Sequence, residues 1–205
     1  MCLFYRISLV TCFMLLNSVF IHAQTGFIGK IKLGLNATQI HGDGLFGYDK
    51  LGLIGGAQLS YELNSRFDMG FEFLLTQKGS QAKISFSSPA DIQRTTLNYI
   101  EFPLFITVKD WFIEDGGYYK IKAHGGFSYA YLMDVSSSNG LYQNDLGNFN
   151  NTDFALLIGV SYALGPKMEA TARYTNSVTK IYKNENLETD GLLNYLWSFT
   201  LDYKL

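Results

Sequence analysis

Residues 192–205 read LLNYLWSFTLDYKL. From Tyr195 onward every second residue is large and apolar (Tyr195, Trp197, Phe199, Leu201, Tyr203, Leu205), and the residues between are mostly polar: Ser198, Thr200, Asp202 and Lys204. A period of two belongs to a pleated strand whose two faces meet different surroundings. What those surroundings are decides the fold.

Seven more segments repeat the pattern. KIKLGLNA (30–37) sets Ile31, Leu33, Leu35 and Ala37 against Lys30, Lys32, Gly34 and Asn36. LGLIGGAQLSYEL (51–63) opposes Leu53, Ala57, Leu59, Tyr61 and Leu63 to Gln58, Ser60 and Glu62. FDMGFEFLLTQK (67–78) opposes Phe67, Met69, Phe71, Phe73 and Leu75 to Asp68, Gly70, Glu72, Thr76 and Lys78. In NYIEFPLFITV (98–108), Ile100, Phe102, Leu104, Ile106 and Val108 share a face opposite Glu101, Pro103 and Phe105. Pro103 removes a ladder donor, which predicts a bulge or local gap there. YYKIKAHGGFSYAYL (118–132), FALLIGVSYAL (154–164) and MEATARYT (168–175) complete the set, with Lys120, Lys122, His124, Ser128, Glu169, Thr171 and Arg173 on the polar side.

The connections alternate in length. Four long polar ones join the first strand to the second, the third to the fourth, the fifth to the sixth and the seventh to the eighth; NSR, KDWFIEDGG and GPK are short. In an up-and-down barrel all long loops then lie at one end and both termini at the other.

A soluble lipocalin-like barrel would alternate too, with its apolar side inward. Three features favour the inverted arrangement. About five large side chains per strand cannot fit inside eight strands, whose interior is only just filled by side chains. The opposite face mixes small residues with charges of both signs. Aromatic residues (Tyr61, Phe67, Trp111, Tyr118, Tyr129, Tyr131, Tyr162, Tyr195, Trp197, Tyr203) gather toward strand ends, where such rings sit at lipid headgroups. Each segment is close to the roughly 9–11 residues that cross a bilayer as a tilted strand. The reading is an all-β, eight-stranded antiparallel transmembrane barrel. Its closure needs the 192–205 strand to pair with the first, because lipid satisfies no open edge.

Composition agrees: 14 Tyr, 16 Phe and 20 Gly against three Pro among 205 residues suit strands. The formal charge of −2, with no basic stripe, argues against nucleic acid as a partner. Residues 1–23 read as a signal peptide, with Arg6 in the n-region, an apolar run from Ile7 to Ile21 and cleavage after Ala23. Residues 24–205 then form the barrel domain, exported to a bacterial outer membrane. Both cysteines, Cys2 and Cys12, fall in the leader, so cleavage would leave no thiol for catalysis, disulfides or metal.

KIKLGLN, LGLIGGAQLSYEL, FEFLLTQKGS, LNYIEFPLFITV, KAHGGFSYAYLM and EATARYTNSVTKIY, in this order, resemble the PorT-like outer-membrane β-barrel family of the Bacteroidetes. The resemblance runs from about Lys30 to Leu205. It implies an eight-stranded outer-membrane barrel; the family is named for a protein needed for type IX secretion, and membership alone does not carry that role. The alternating final strand is similar to the signal read by outer-membrane assembly machinery, although Leu205 stands where Phe is more usual.

No residue pattern points to chemistry. His41 and His124 with no cysteine make no zinc set. Ser128 lies four residues from His124, about 13 Å along a strand and beyond a hydrogen bond. No cofactor is implied. The Asn- and Asp-rich 144–153 loop does not have the spacing of a calcium loop. The polar face instead predicts an enclosed structural charge network of Glu62, Glu72, Lys78, Glu101, Lys122, His124, Glu169, Arg173, Asp202 and Lys204, with Glu101 and Glu169 as candidate partners of Arg173. In the loops, Leu45, Phe46, Tyr48, Leu141, Tyr142, Phe149 and Tyr182 are candidate contacts for a surface partner or, equally, side chains that fold over the rim. The expected function is a non-enzymatic platform in contact with outer-membrane lipids. The alternatives are a lipid-modifying enzyme, a subunit of an envelope or secretion complex, and a narrow ion path.

Overall fold

The computed structural model describes residues 26–43, 47–82, 93–138, 146–182 and 191–205. Eight strands follow in chain order: β1 (Phe27–His41), β2 (Lys50–Glu62), β3 (Phe67–Gln81), β4 (Arg94–Ile113), β5 (Tyr118–Ser138), β6 (Thr152–Ala163), β7 (Met168–Ser177) and β8 (Leu193–Lys204). Each pairs antiparallel with its neighbours, and β8 returns to β1 to close a barrel. The seam runs from Lys30 opposite Lys204 to His41 opposite Leu193, so the last quoted stretch is paired along its length.

The two faces separate as the alternation requires. Leu33, Leu53 and Ile158 are each about two-thirds exposed on the outside, whereas Glu72 and Asp202 are buried inside at 0% and 2%. A water-soluble fold would leave no such belt of Leu, Ile and Phe bare, and a bilayer is the solvent that favours it. Rings mark its borders, including Tyr174 against Trp197 toward the loop end and Phe27 against Tyr61 toward the turn end.

Several strands outrun their sequence-based bounds. β4 and β5 hold 20 and 21 residues, about twice what a crossing needs, so their hairpin absorbs most of KDWFIEDGG and leaves only residues 114–117 as a turn. At the loop end β3, β4 and β5 continue beyond the apolar belt as a polar sheet, with Arg94 paired to Gln81 and Ser138. The gap expected at Pro103 occurs on one side: the β3–β4 ladder skips Phe102 and Pro103 and resumes in the same register, while the bulge lies at Asn98/Tyr99.

Candidate functional site

Inward-facing residues build three polar levels. Nearest the short turns, Lys109 Nζ donates to Asp68 at 2.7 Å and to Glu62 at 3.0 Å. Across the same mouth Glu169 accepts from Lys30 at 2.7 Å and from Lys122. One level deeper, Arg173 holds Glu72 with both terminal nitrogens, at 2.6 and 2.9 Å, and its Nε donates to His124 Nε2 at 3.2 Å. Lys32 lies 3.0 Å from Glu72 and 2.8 Å from Asp202, whose second oxygen accepts from Thr200. Phe105 caps this level, its ring 5.2 Å from the Arg173 guanidinium and 5.3 Å from the His124 ring. Toward the loops, buried Lys78 stands 2.5 Å from Glu101 and 3.3 Å from Asp153, under the Tyr99 ring.

Between the second and third levels the polar sequence breaks. Leu74 follows Glu72 on β3, Leu157 follows Gly159 toward the loop end of β6, and Leu196 does the same after Ser198 on β8; each is at most 2% exposed. In the ladders these leucines stand beside Gly56 and Glu101, Gly126 and Thr175, and Thr38 and Thr175, so apolar and polar side chains share this height. A desolvated charge without a partner costs several kcal/mol, and Glu72, Asp202, Glu101 and Asp153 each meet a cation here.

Above the third level the lumen is closed by an apolar core of Ile40, Leu97, Tyr99, Ala130, Leu132, Phe149, Ile181, Tyr182 and Leu192. Tyr182 bridges backbone to backbone with Phe149 on one side and Leu192 on the other, so two loops are stitched together over the mouth. Phe149 and Tyr182 are buried, at 6% and 3%, and their rings meet at 5.0 Å. The expectation of exposed contacts is corrected for these two: they fold over the rim, because only there can their rings leave water. Tyr48 is exposed, while Leu45, Phe46, Leu141 and Tyr142 lie outside the described residues.

Of the ten residues expected in the network, Glu72, Lys78, Glu101, Lys122, His124, Glu169, Arg173 and Asp202 line the lumen and are brought together as described. Glu62 stands at the turn-end rim with its side chain 47% exposed. Lys204 is exposed at the same rim, and no ion pair of it occurs among the described residues, so it is not part of the enclosed network. Arg173 pairs with Glu72 in place of Glu101 or Glu169. Glu169 is four residues below it on β7 and is taken by Lys30 and Lys122, and Glu101 is taken by Lys78. Lys30, Lys32 and Asp68 were visible by parity alone. Lys109 and Asp153 were not, because the strands carrying them extend further than their apolar runs.

A closed eight-stranded barrel with lipid-compatible walls and a polar lumen crossed by ion pairs defines a small outer-membrane barrel protein. The chain belongs to the family described as outer membrane protein beta-barrel domain, whose model matches residues 23–183. Among solved structures, Neisserial surface protein A (NspA) is similar at 16% identity over 88% of this chain and 98% of that one, with a TM-score of 0.50. The attachment invasion locus protein Ail of Yersinia pestis shares 14% identity over 88% of this chain and 99% of its own, with a TM-score of 0.49. None of the curated proteins matches. The family places the protein in the bacterial outer membrane.

Proposed function

We propose that the protein is a non-enzymatic binding platform, a PorT-like barrel of the Bacteroidetes type, that presents a preformed surface on the outside of the cell. The observation that carries this is the lid. Tyr182, bridged to Phe149 and Leu192, ties the described ends of two long connections together over the barrel mouth. A surface ordered before it meets a partner loses less entropy on binding. The polar extension of β3, β4 and β5 beside it adds a rigid edge carrying Arg94, Ser136 and Ser138. Long loops of outer-membrane barrels face the exterior, and exposed loops carry recognition. On this reading residues 1–23 are removed during export.

The lumen supports the absence of transport. Ion pairs cross its interior, and an apolar core fills its loop end. The nearest nucleophile arrangement is no better: Ser128 is on β5 with His124, and His124 Nε2 is taken by Arg173. Purified protein should show no turnover of lipid A or phospholipids and no conductance steps in planar bilayers. Crosslinking on intact cells followed by gentle solubilisation should capture a surface or envelope partner through the lid-side loops. Turnover that disappears in His124→Gln, or steady conductance, would replace the platform with the enzyme or the ion path.

A further inference from the structure

The end of the barrel opposite the lid holds a cavity of about 370 Å³ open to the periplasmic side. At roughly 30 Å³ per water molecule, that is room for about a dozen small groups. Gln58, Ser60, Thr107 and Glu169 are among the residues that line it, and the Lys32, Glu72, Arg173 and Asp202 level, where two cations meet two carboxylates, lies deeper in the lumen. The apolar core under the lid fills the loop end of the lumen, so the cavity is a blind vestibule and whatever enters leaves by the same mouth.

Its walls are not charge-balanced side by side. On one wall Lys109 bridges Asp68 and Glu62, and that wall carries one net negative charge. On the other, Lys30 and Lys122 share the single carboxylate of Glu169. Lys204 stands directly across the β1–β8 seam from Lys30, and Lys122 directly across the β4–β5 ladder from Lys109. Like charges in directly opposed strand positions destabilise a sheet. Four lysines line the cavity, Lys30, Lys109, Lys122 and Lys204, against three carboxylates, Glu62, Asp68 and Glu169, which leaves one ammonium in excess. That arrangement favours a negative guest, which would add the missing counter-charge.

We infer that the vestibule binds a small oxyanion, a phosphate or carboxylate group entering from the periplasmic side, held by Lys30, Lys122 and Lys204. Ammonium groups suit such a guest because each offers three donors and a compact charge. Tyr119 lines the cavity with its ring 5.4 Å from the Lys109 ammonium, which is already held by Asp68 and Glu62 and so takes no part in holding the guest. The oxyanion could be free in solution or the phosphate of an anionic lipid headgroup reaching over the rim.

The test is nuclear magnetic resonance on protein folded in uncharged detergent micelles, titrated in turn with inorganic phosphate and with phosphatidylglycerol doped into the micelles. Saturable shifts are expected for backbone amides near Lys30, Ser60, Lys122 and Lys204, with none at the lid. Lys122→Gln and the rim variant Lys204→Gln should each weaken binding about tenfold, and Glu169→Gln should tighten it several-fold by freeing both lysines. Shifts with both probes identify a site for free oxyanions, and shifts with the lipid alone identify the headgroup as the source; either supports the inference. Absence of saturable shifts with both probes would overturn it, as would affinity unchanged in both Lys122→Gln and Lys204→Gln. Lys204 is exposed, so that variant reports on binding even if the buried substitution disturbs folding.

Discussion

Arg173 on β7 and Glu72 on β3 clasp one another across the lumen through two parallel hydrogen bonds of 2.6 and 2.9 Å, although 101 positions separate them in the chain. The bond pins opposite walls of the barrel, and a planar guanidinium fits a carboxylate in this way while an ammonium does not. Removing one partner strands a charge in the lumen, whereas removing both removes the problem. Glu72→Met or Arg173→Met alone should therefore destabilise the barrel by about 3–5 kcal/mol, while the double variant should regain most of that loss. Urea unfolding in lipid vesicles measures it. Additive losses in the double variant would show that the pair is not coupled.

The lid should respond independently of the walls. Tyr182→Ala removes a ring packed on Phe149 and should cost about 3–5 kcal/mol locally, the ordinary penalty for an emptied aromatic site. Hydrogen exchange should speed up at Asn150, Ile181 and Leu192 and stay unchanged at the β7–β8 ladder. Conductance gained in this variant would mean that the packed ring of Tyr182 itself blocks the lumen.

Gly159 is required by proximity. A Cβ there would lie 2.5 Å from His124 Nε2 and 2.8 Å from the Ala172 carbonyl oxygen, the second of which is backbone and cannot yield. Gly159→Val should push His124 off the Arg173 Nε and destabilise the barrel by about 1–3 kcal/mol, the usual range for overpacking. The same substitution in a His124→Ala background should cost less, because one of the two obstructions is gone. Midpoints of heat-induced mobility shift on denaturing gels give both comparisons.

What the sequence made legible was what the solvent imposes. Leu201, Phe199 and Trp197 face lipid and Thr200 and Ser198 face the lumen because the pleat allows nothing else once one face must be oily. Closure, strand number and the division into long and short connections followed from the same rule. Pairing inside the lumen was less legible, because parity says that a side chain points inward but not at what height. Arg173 meets Glu72 through the stagger of the strands, which no local pattern records. Asp153 was read as a loop residue because its strand begins before its apolar run, yet it is fully buried and takes Lys78 and Ser177. The burial of Phe149 and Tyr182 depends on two distant loops meeting, and an aromatic residue in a polar loop carries no sign of which way it folds.

Depth should set the cost of charge on the outer wall. Ile158→Arg, near the middle of β6, is expected to destabilise the barrel by about 2–4 kcal/mol, and Tyr203→Arg, near the end of β8, by about 0–1 kcal/mol. Equal costs at the two positions would mean that the outer wall does not span a hydrocarbon layer. The comparison is made by equilibrium unfolding in vesicles of one lipid.

The account depends most on which face of the wall meets lipid, and spin labels on single cysteines placed one by one at residues 197–201 read that face directly. The only native cysteines are Cys2 and Cys12, so protein expressed from Gln24 onward takes one label at the chosen position. In bilayers, collision with oxygen should be high at 197, 199 and 201 and low at 198 and 200, with an aqueous nickel complex excluded from all five. Nickel contact at 199, or accessibility without a period of two, would contradict the membrane-facing assignment.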